Sequence, residues 1–282
     1  MSAVASAVLL GASGSTNVLE ARLFHRCLPE SYILPVVTGR FFGRTALVTG
    51  ASRGIGAAVA LLLAEQGADV AINFRSKGSR AEDIAAQVQA LGRRALLAQA
   101  DLTDAAGVEV MTRTVQHSFG RIDILVLNAS GGLEKGKPAA YAMELNLTAQ
   151  VRMLEAALPL MPGGACVIFV TSHLAHFYGR KPVYPAYEGI AASKKAGEDA
   201  LISRLASLEA RGVRLAIVSG DMIDGTITPK LLERTQRGLI ENRRGQAGAL
   251  PSVQEFAAAI VEAAGDVHRP NGQVSFVGST DS

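Results

Sequence analysis

From Arg44 onward, short continuous apolar runs alternate with longer segments whose apolar residues recur at helical spacing. Runs at Thr45–Val48, Val70–Ile72, Ala95–Leu97, Ile122–Leu127, Val167–Val170 and Leu215–Val218, with a shorter one at Val274–Val277, predict seven strands. They lack polar alternation, so each reads as a strand covered on both faces, the condition of a parallel sheet. Between them the helical periodicity predicts helices over Gly56–Glu65, Ala81–Leu91, Ala105–Phe119, Met143–Leu158 and Ser193–Leu208. The alternation defines one doubly wound α/β domain over residues 41–282. Its one long irregular stretch, Met222–Ala249, predicts a lid over a substrate site.

Composition narrows the partners. With 49% hydrophobic residues in 282 the chain can bury a large core. A net charge of +3 gives no electrostatic argument for nucleic acid or an anionic membrane, so a small-molecule substrate is expected. Cys27 and Cys166 are far apart, and Cys166 sits in an apolar run, which points away from a disulfide framework and toward a reducing, cytoplasmic setting. No stretch is apolar for long enough to span a bilayer, so a soluble protein without membrane attachment is expected. Residues 1–40 read as an extension, poorly ordered or targeting. Ala3–Ala12 is apolar but lacks the basic start of a secretory signal, while Arg22, His25 and Arg26 suit a presequence.

The sharpest local signal is Thr49-Gly50-Ala51-Ser52-Arg53-Gly54-Ile55-Gly56, between the first strand and the first helix. Gly50 permits a sharp turn, Gly54 a close approach of backbone to a pyrophosphate, and Gly56 close helix–sheet packing, with the helix N-terminus facing the phosphates. That context predicts a dinucleotide site in a Rossmann fold with a seven-stranded parallel sheet. The loop resembles that of the short-chain dehydrogenases and reductases, and the similarity runs on to the end of the chain. The resemblance implies that Asp101, with Leu102, contacts the adenine and that Asn128-Ala129-Ser130 lines the cofactor groove. It carries Ser52, Ile55, Ser219, Gly220 and Thr226 to the same groove. Leu127 and Ser130 stand where the family usually has Asn and Gly.

An acidic residue after the second strand would hold the ribose diol of NAD and repel a 2′-phosphate. Here Asn73-Phe74-Arg75-Ser76-Lys77 follows instead. Arg75 and Arg53, with Ser76 beside them, can embrace the phosphate, so NADP(H) is the expected cofactor. The competing reading makes Arg75 a solvated surface charge.

The family's Tyr-x-x-x-Lys pattern is broken. Ile190 lies four residues before Lys194, and the nearest tyrosine, Tyr187, lies seven before it. On a helix that interval is about two turns, a rise of about 10 Å, and returns to nearly the same face. The Tyr-x6-Lys spacing resembles the enoyl-acyl-carrier-protein reductases, and Tyr187–Lys194, Asn128–Gly131 and Val218-Ser219-Gly220 together are most similar to enoyl reductase III. The resemblance implies fatty acid metabolism, with Tyr187 stabilising an enolate and Lys194 anchoring the nicotinamide ribose. The Lys194 charge would favour the ionised phenol. Tyr184 and Tyr178 are competing donors, Lys195 a competing cation. Two further family positions match Asn146, in the fourth long helix, and Ser172, at the end of the fifth strand; a strand-end serine satisfied by backbone is the alternative. His173 and His176 share a loop without a third ligand at metal spacing, so no metal is expected. Arg234, Arg237, Arg243 and Arg244 make the lid basic, either to attract an acyl-carrier-protein or coenzyme A phosphate or as a solvated helix face.

The leading function is reduction of an enoyl thioester by NADPH; the alternatives are reduction of a 3-oxoacyl or other carbonyl group and, since Ile190 removes the usual acid, cofactor binding without turnover. The small residues Ala191, Ala192, Ala196 and Gly197 allow close helix packing, and the resemblance implies that their helix joins subunits in a homodimer or homotetramer.

Overall fold

The computed structural model describes residues 39–281 apart from 135 and 139, so Cys27 and nearly all of the 1–40 extension lie outside the described residues. Seven strands form one all-parallel sheet: β1 (Thr45–Val48), β2 (Asp69–Phe74), β3 (Ala95–Gln99), β4 (Ile124–Leu127), β5 (Cys166–Ser172), β6 (Arg214–Gly220) and β7 (Val274–Val277). Their order is β3-β2-β1-β4-β5-β6-β7. The helices are α1 (Gly54–Glu65), α2 (Gly78–Ala90), α3 (Ala105–Phe119), α4 (Ala149–Ala157), the single turn α5 (His173–His176), α6 (Glu188–Ile202), α7 (Leu205–Ala210), α8 (Ile227–Thr235), α9 (Leu239–Ala247) and α10 (Val253–Gly265).

The alternating side chains of each central strand feed two cores. On one face Val48, Ile72, Ile168 and Val218 pack with Leu63 of α1, Val88 of α2 and Phe256 of α10. On the other, Leu47, Leu125, Val167 and Ile217 pack with Val115 of α3, Met153 of α4 and Leu201 of α6. The edge strands β3 and β7 are only partly covered. Local sequence fixes the helix ends. Asp104 caps α3 through the Ala106 amide, Gly120 ends it in a left-handed conformation, and Ser252 with Glu255 forms a reciprocal cap on α10.

Chain order reverses between β1 and β4, so the loops leaving their carboxyl ends diverge and open a crevice. The sheet is the expected one, though Ile122 and Asp123 precede β4 rather than belonging to it.

Three expectations change. The stretch 222–249 is not irregular, because α8 and α9 occupy most of it. The helix expected from Met143 starts at Tyr141 and widens into a π turn at Glu144–Thr148 before α4, so Asn146 sits in that turn and not in a regular helix. The helix expected over Ser193–Leu208 begins earlier, at Glu188, and breaks between Ile202 and Leu205. Tyr187 therefore precedes α6, closing a short 3-10 turn, Pro185–Tyr187.

Candidate active site

The glycine loop is held from both neighbouring strands. Asn73 at the end of β2 accepts from the Gly50 amide at 3.1 Å and donates to the Ala98 carbonyl of β3 at 3.0 Å. The Thr49 hydroxyl donates to the Val126 carbonyl (3.1 Å) and accepts from the amides of Asn128 (2.9 Å) and Ala129 (3.0 Å). Asn128 Nδ2 returns a bond to the Thr49 carbonyl at 2.8 Å. A Cβ at Gly56 would lie 2.6 Å from both the Gly50 carbonyl oxygen and Asn128 Nδ2, so only glycine lets α1 approach the loop this closely.

The first turn of α1 has neither a side-chain cap nor an acidic residue. Its amides stay available at a positive helix end, facing a groove of about 590 Å³. Gly50, Ser52, Arg53, Gly54, Ile55, Gly56, Arg75, Ser76, Asp101, Leu102, Asn128, Ala129, Ser130 and Thr226 all line that groove. Uncapped amides, an unfilled glycine turn and basic residues at the far rim suit a phosphorylated dinucleotide. Burial works against ionisation of Asp101, yet bonds from the Thr103 hydroxyl and amide, with the Arg75 and Lys137 charges, hold its carboxyl below the usual range.

A second cavity of about 180 Å³ shares Ile55, Asn128, Ser130 and Thr226 with the groove. Tyr187, Lys194, Ser172 and Gly220 all line it. The Tyr187 hydroxyl lies 3.2 Å from Ser172 Oγ, and Lys194 Nζ donates to Ser130 Oγ at 3.4 Å. Burial raises the Tyr187 phenol above its ordinary value, only partly offset by the Ser172 bond. Burial pushes the Lys194 ammonium down to about 8, against the pull of Glu198. Tyr184 lines the same cavity, whereas Tyr178 does not, and Lys195 is turned to Asp199 at 2.7 Å and Glu198 at 3.3 Å.

Other expected residues stand elsewhere. Asn146 lines neither space; it braces the site from behind, with Nδ2 donating to the Gly131 carbonyl (2.9 Å) and Ser193 Oγ (3.0 Å). Ser219 is fully buried and bonds His173 Nδ1 at 2.8 Å, so it supports the wall instead of lining the groove. His176 is paired with the buried Glu198 at 2.8 Å. Among the described residues no cluster of three or more His, Cys, Asp or Glu side chains is arranged to hold a metal. The basic lid residues are not a uniform solvated face: Arg243 is 5% exposed and forms a two-pronged pair with Asp221 (2.8 and 2.9 Å). Ala191 is fully buried, and Gly197 is pressed against the Asn146 carbonyl, so both serve packing inside the chain.

Sequence reasoning missed Tyr141, whose hydroxyl accepts from Arg75 Nη1 at 2.5 Å, and Lys181, which donates to the Thr280 carbonyl beside the cavity. Only the position of Tyr141 two residues before an expected helix hinted at it.

A switch-point groove with an uncapped helix end, joined to a cavity holding a phenol, a hydroxyl and an ammonium, defines a dinucleotide-dependent oxidoreductase. The short chain dehydrogenase family matches residues 44–236, and the chain belongs to that family. It is 40% identical over 135 residues to the hydroxynaphthalene reductase arp2 of Aspergillus fumigatus, spanning 45% of this chain and about half (49%) of that relative. It is 30% identical over 189 residues to 1-cyclohexenylcarbonyl-CoA reductase of Streptomyces collinus, covering 64% of this chain and 65% of that one. Among solved structures, a short chain dehydrogenase from Burkholderia cenocepacia in complex with NADP superposes with a TM-score of 0.75 at 30% identity, covering 86% of this chain and all of that one (100%).

Proposed function

We propose that this oxidoreductase uses NADP(H) to reduce a carbonyl group of a small molecule. The observation that carries the reading is the 3.2 Å contact between the Tyr187 hydroxyl and Ser172 Oγ in the cavity that also holds Lys194. Two hydroxyl donors converging on one point make a site for an oxygen that gains negative charge. In carbonyl reduction that oxygen is bonded to the carbon that takes the hydride, so the donors and the transferred hydride must meet at adjacent atoms.

Bound cofactor supplies the hydride. The chain's own residues do the rest. Gly50, Ser52, Arg53, Gly54, Ile55 and Gly56 receive the pyrophosphate, Asp101 and Leu102 border the adenine, and Arg75 with Arg53 and Ser76 holds the 2′-phosphate. Asn128, Ala129 and Ser130 line the middle of the groove. Lys194 anchors the nicotinamide ribose, and its charge eases proton loss from the Tyr187 phenol as the substrate oxygen becomes basic. Ser172 polarises the oxygen, and Asn146 keeps the Gly131 backbone and Ser193, next to Lys194, in place. The segment 222–249, with Met222, Thr228, Pro229 and Leu232 on the cavity wall, closes over the substrate.

A second reading, reduction of an enoyl thioester, is favoured by the Tyr-x6-Lys interval and the similarity to 1-cyclohexenylcarbonyl-CoA reductase. There the charge develops on the thioester oxygen, away from the carbon receiving hydride. Following NADPH consumption with acetoacetyl and with crotonyl thioester separates the two. Turnover of the first but not the second is expected, and the reverse refutes the carbonyl reading. Tyr187→Phe should lower turnover by about 100-fold or more; unchanged turnover would remove Tyr187 from the mechanism. Tight NADP(H) binding without turnover on a broad substrate panel would instead indicate a binding protein.

A further inference from the structure

We infer that Tyr141 is a positioning residue that sets the cofactor preference by holding Arg75 over the 2′-phosphate subsite. This rests on the assignment of Arg75 to that phosphate. Arg75 follows β2 at the rim of the groove, where a long side chain would otherwise sample many rotamers. Two bonds restrain it. Gln99 Nε2 donates to its carbonyl at 3.1 Å, and its own Nη1 donates to the Tyr141 hydroxyl at 2.5 Å.

The tyrosine is suited to act as a fixed post. It is 7% exposed, and its ring packs in the core that contains Leu102 and Leu145. The Lys137 ammonium sits 4.5 Å from the ring centroid, a cation–π contact. Burial raises the phenol above its ordinary value, with the Arg75 charge opposing, so it stays a neutral acceptor at physiological pH. A guanidinium has five N–H donors in a rigid fork; Tyr141 takes one and leaves the others for phosphate oxygens. Pre-organising the fork removes the ordering cost that binding would otherwise meet, and the benefit falls only on ligands that carry the phosphate. Asp101, held ionised first by the Thr103 hydroxyl and amide, also lies in the field of Arg75 and Lys137.

The test is calorimetric titration of the full chain with 2′,5′-ADP and with 5′-AMP, which differ by the phosphate in question. Tyr141→Phe keeps the buried ring and removes the acceptor. It should weaken 2′,5′-ADP about fivefold and leave 5′-AMP within about twofold. Equal losses for both ligands would mean a merely structural role, and no loss for either would mean no role; each overturns the inference. Arg75→Gln run alongside should abolish most of the discrimination. If it does so while Tyr141→Phe has no effect, only the role of Tyr141 falls; if it changes nothing, the phosphate assignment of Arg75 falls too.

Discussion

Substituting Gly197 by alanine isolates the packing that sets the active-site helix against the π turn. A Cβ at Gly197 would lie 2.1 Å from the Asn146 carbonyl oxygen, 3.2 Å from its carbonyl carbon and 3.5 Å from Phe169 Cζ. The first is backbone in a buried turn, so the two segments must part by about 1 Å before an ordinary carbon–oxygen contact is restored. In a solvent-exposed helix the same change would stabilise by about 1 kcal/mol. Overpacking costs about 1–3 kcal/mol, at the upper end where rigid backbone blocks relaxation, which leaves a net loss of about 2 kcal/mol. For a domain of this size that lowers Tm by about 4–8 °C. Function should suffer more than stability, because Asn146 bonds Ser193 and Gly131, and Ser193 is next to Lys194. A turnover loss of about tenfold or more is expected with folded protein, from a misplacement of about 1 Å. Urea unfolding and steady-state reduction check both parts. An alanine variant with unchanged midpoint and turnover would show that the close approach of α6 to Asn146 has no energetic weight.

Three further outcomes follow from buried charge. Arg243→Met strands Asp221, 5% exposed like its partner, and should cost about 3–5 kcal/mol in urea unfolding, much of it recovered when Asp221→Leu is added. The His173 imidazole is driven down to about 4 by burial, against an unfolded value near 6.5. Between those values the unfolded chain binds the extra proton, so this contribution is present above about pH 6.5 and is lost as pH falls toward 4. Urea midpoints should show an acid loss on the order of 3 kcal/mol that His173→Phe flattens. Lys194, brought to about 8 from 10.5, destabilises the fold while charged; with the unfolded chain holding more protons in that window, stability rises from about pH 8 to 10.5. Reduction should run the other way, declining above about pH 8 as the Lys194 ammonium in the shared cavity loses its charge, and a pH profile flat to 10 would refute that role.

The sheet was readable because buried parallel strands and amphipathic helices write different periods into the chain. Three of the five anticipated helices and all seven strands differ from the observed ones by only a few residues. The glycine loop was equally plain, since its residues act through backbone conformation and local order. The pairings across the fold were not. Asn73 pinning Gly50, Arg243 closing on Asp221 and Arg75 meeting Tyr141 join residues that are 23, 22 and 66 positions apart, and no local pattern encodes such a meeting. Arg243 is the clearest case. Among four arginines in one segment its neighbours mark it as surface, and only the placement of Asp221 after β6 and of the Ser279 and Asp281 carbonyls makes its burial tolerable. The close approach of the Asn146 π turn to Gly197 on α6 is likewise a tertiary fact.

On the proposed reading, the displaced tyrosine supplies the phenol that the broken motif lacks at Ile190. The phenol moves three residues upstream, out of α6 and into the turn that precedes it. Pro185–Tyr187 leads into α6 as a tight turn, and Ile190, 5% exposed, fills the vacated position against the β4 loop; a Cβ on Gly132 would meet its Cγ1 at 2.9 Å. The hydroxyl nevertheless reaches Ser172, so the donor pair stays intact although its spacing to Lys194 has changed. On that reading, the choice between a carbonyl carbon and a conjugated β-carbon depends on where in the cavity the substrate sits. Met222, Leu232 and Phe256 line the same cavity and limit the room a substrate has there.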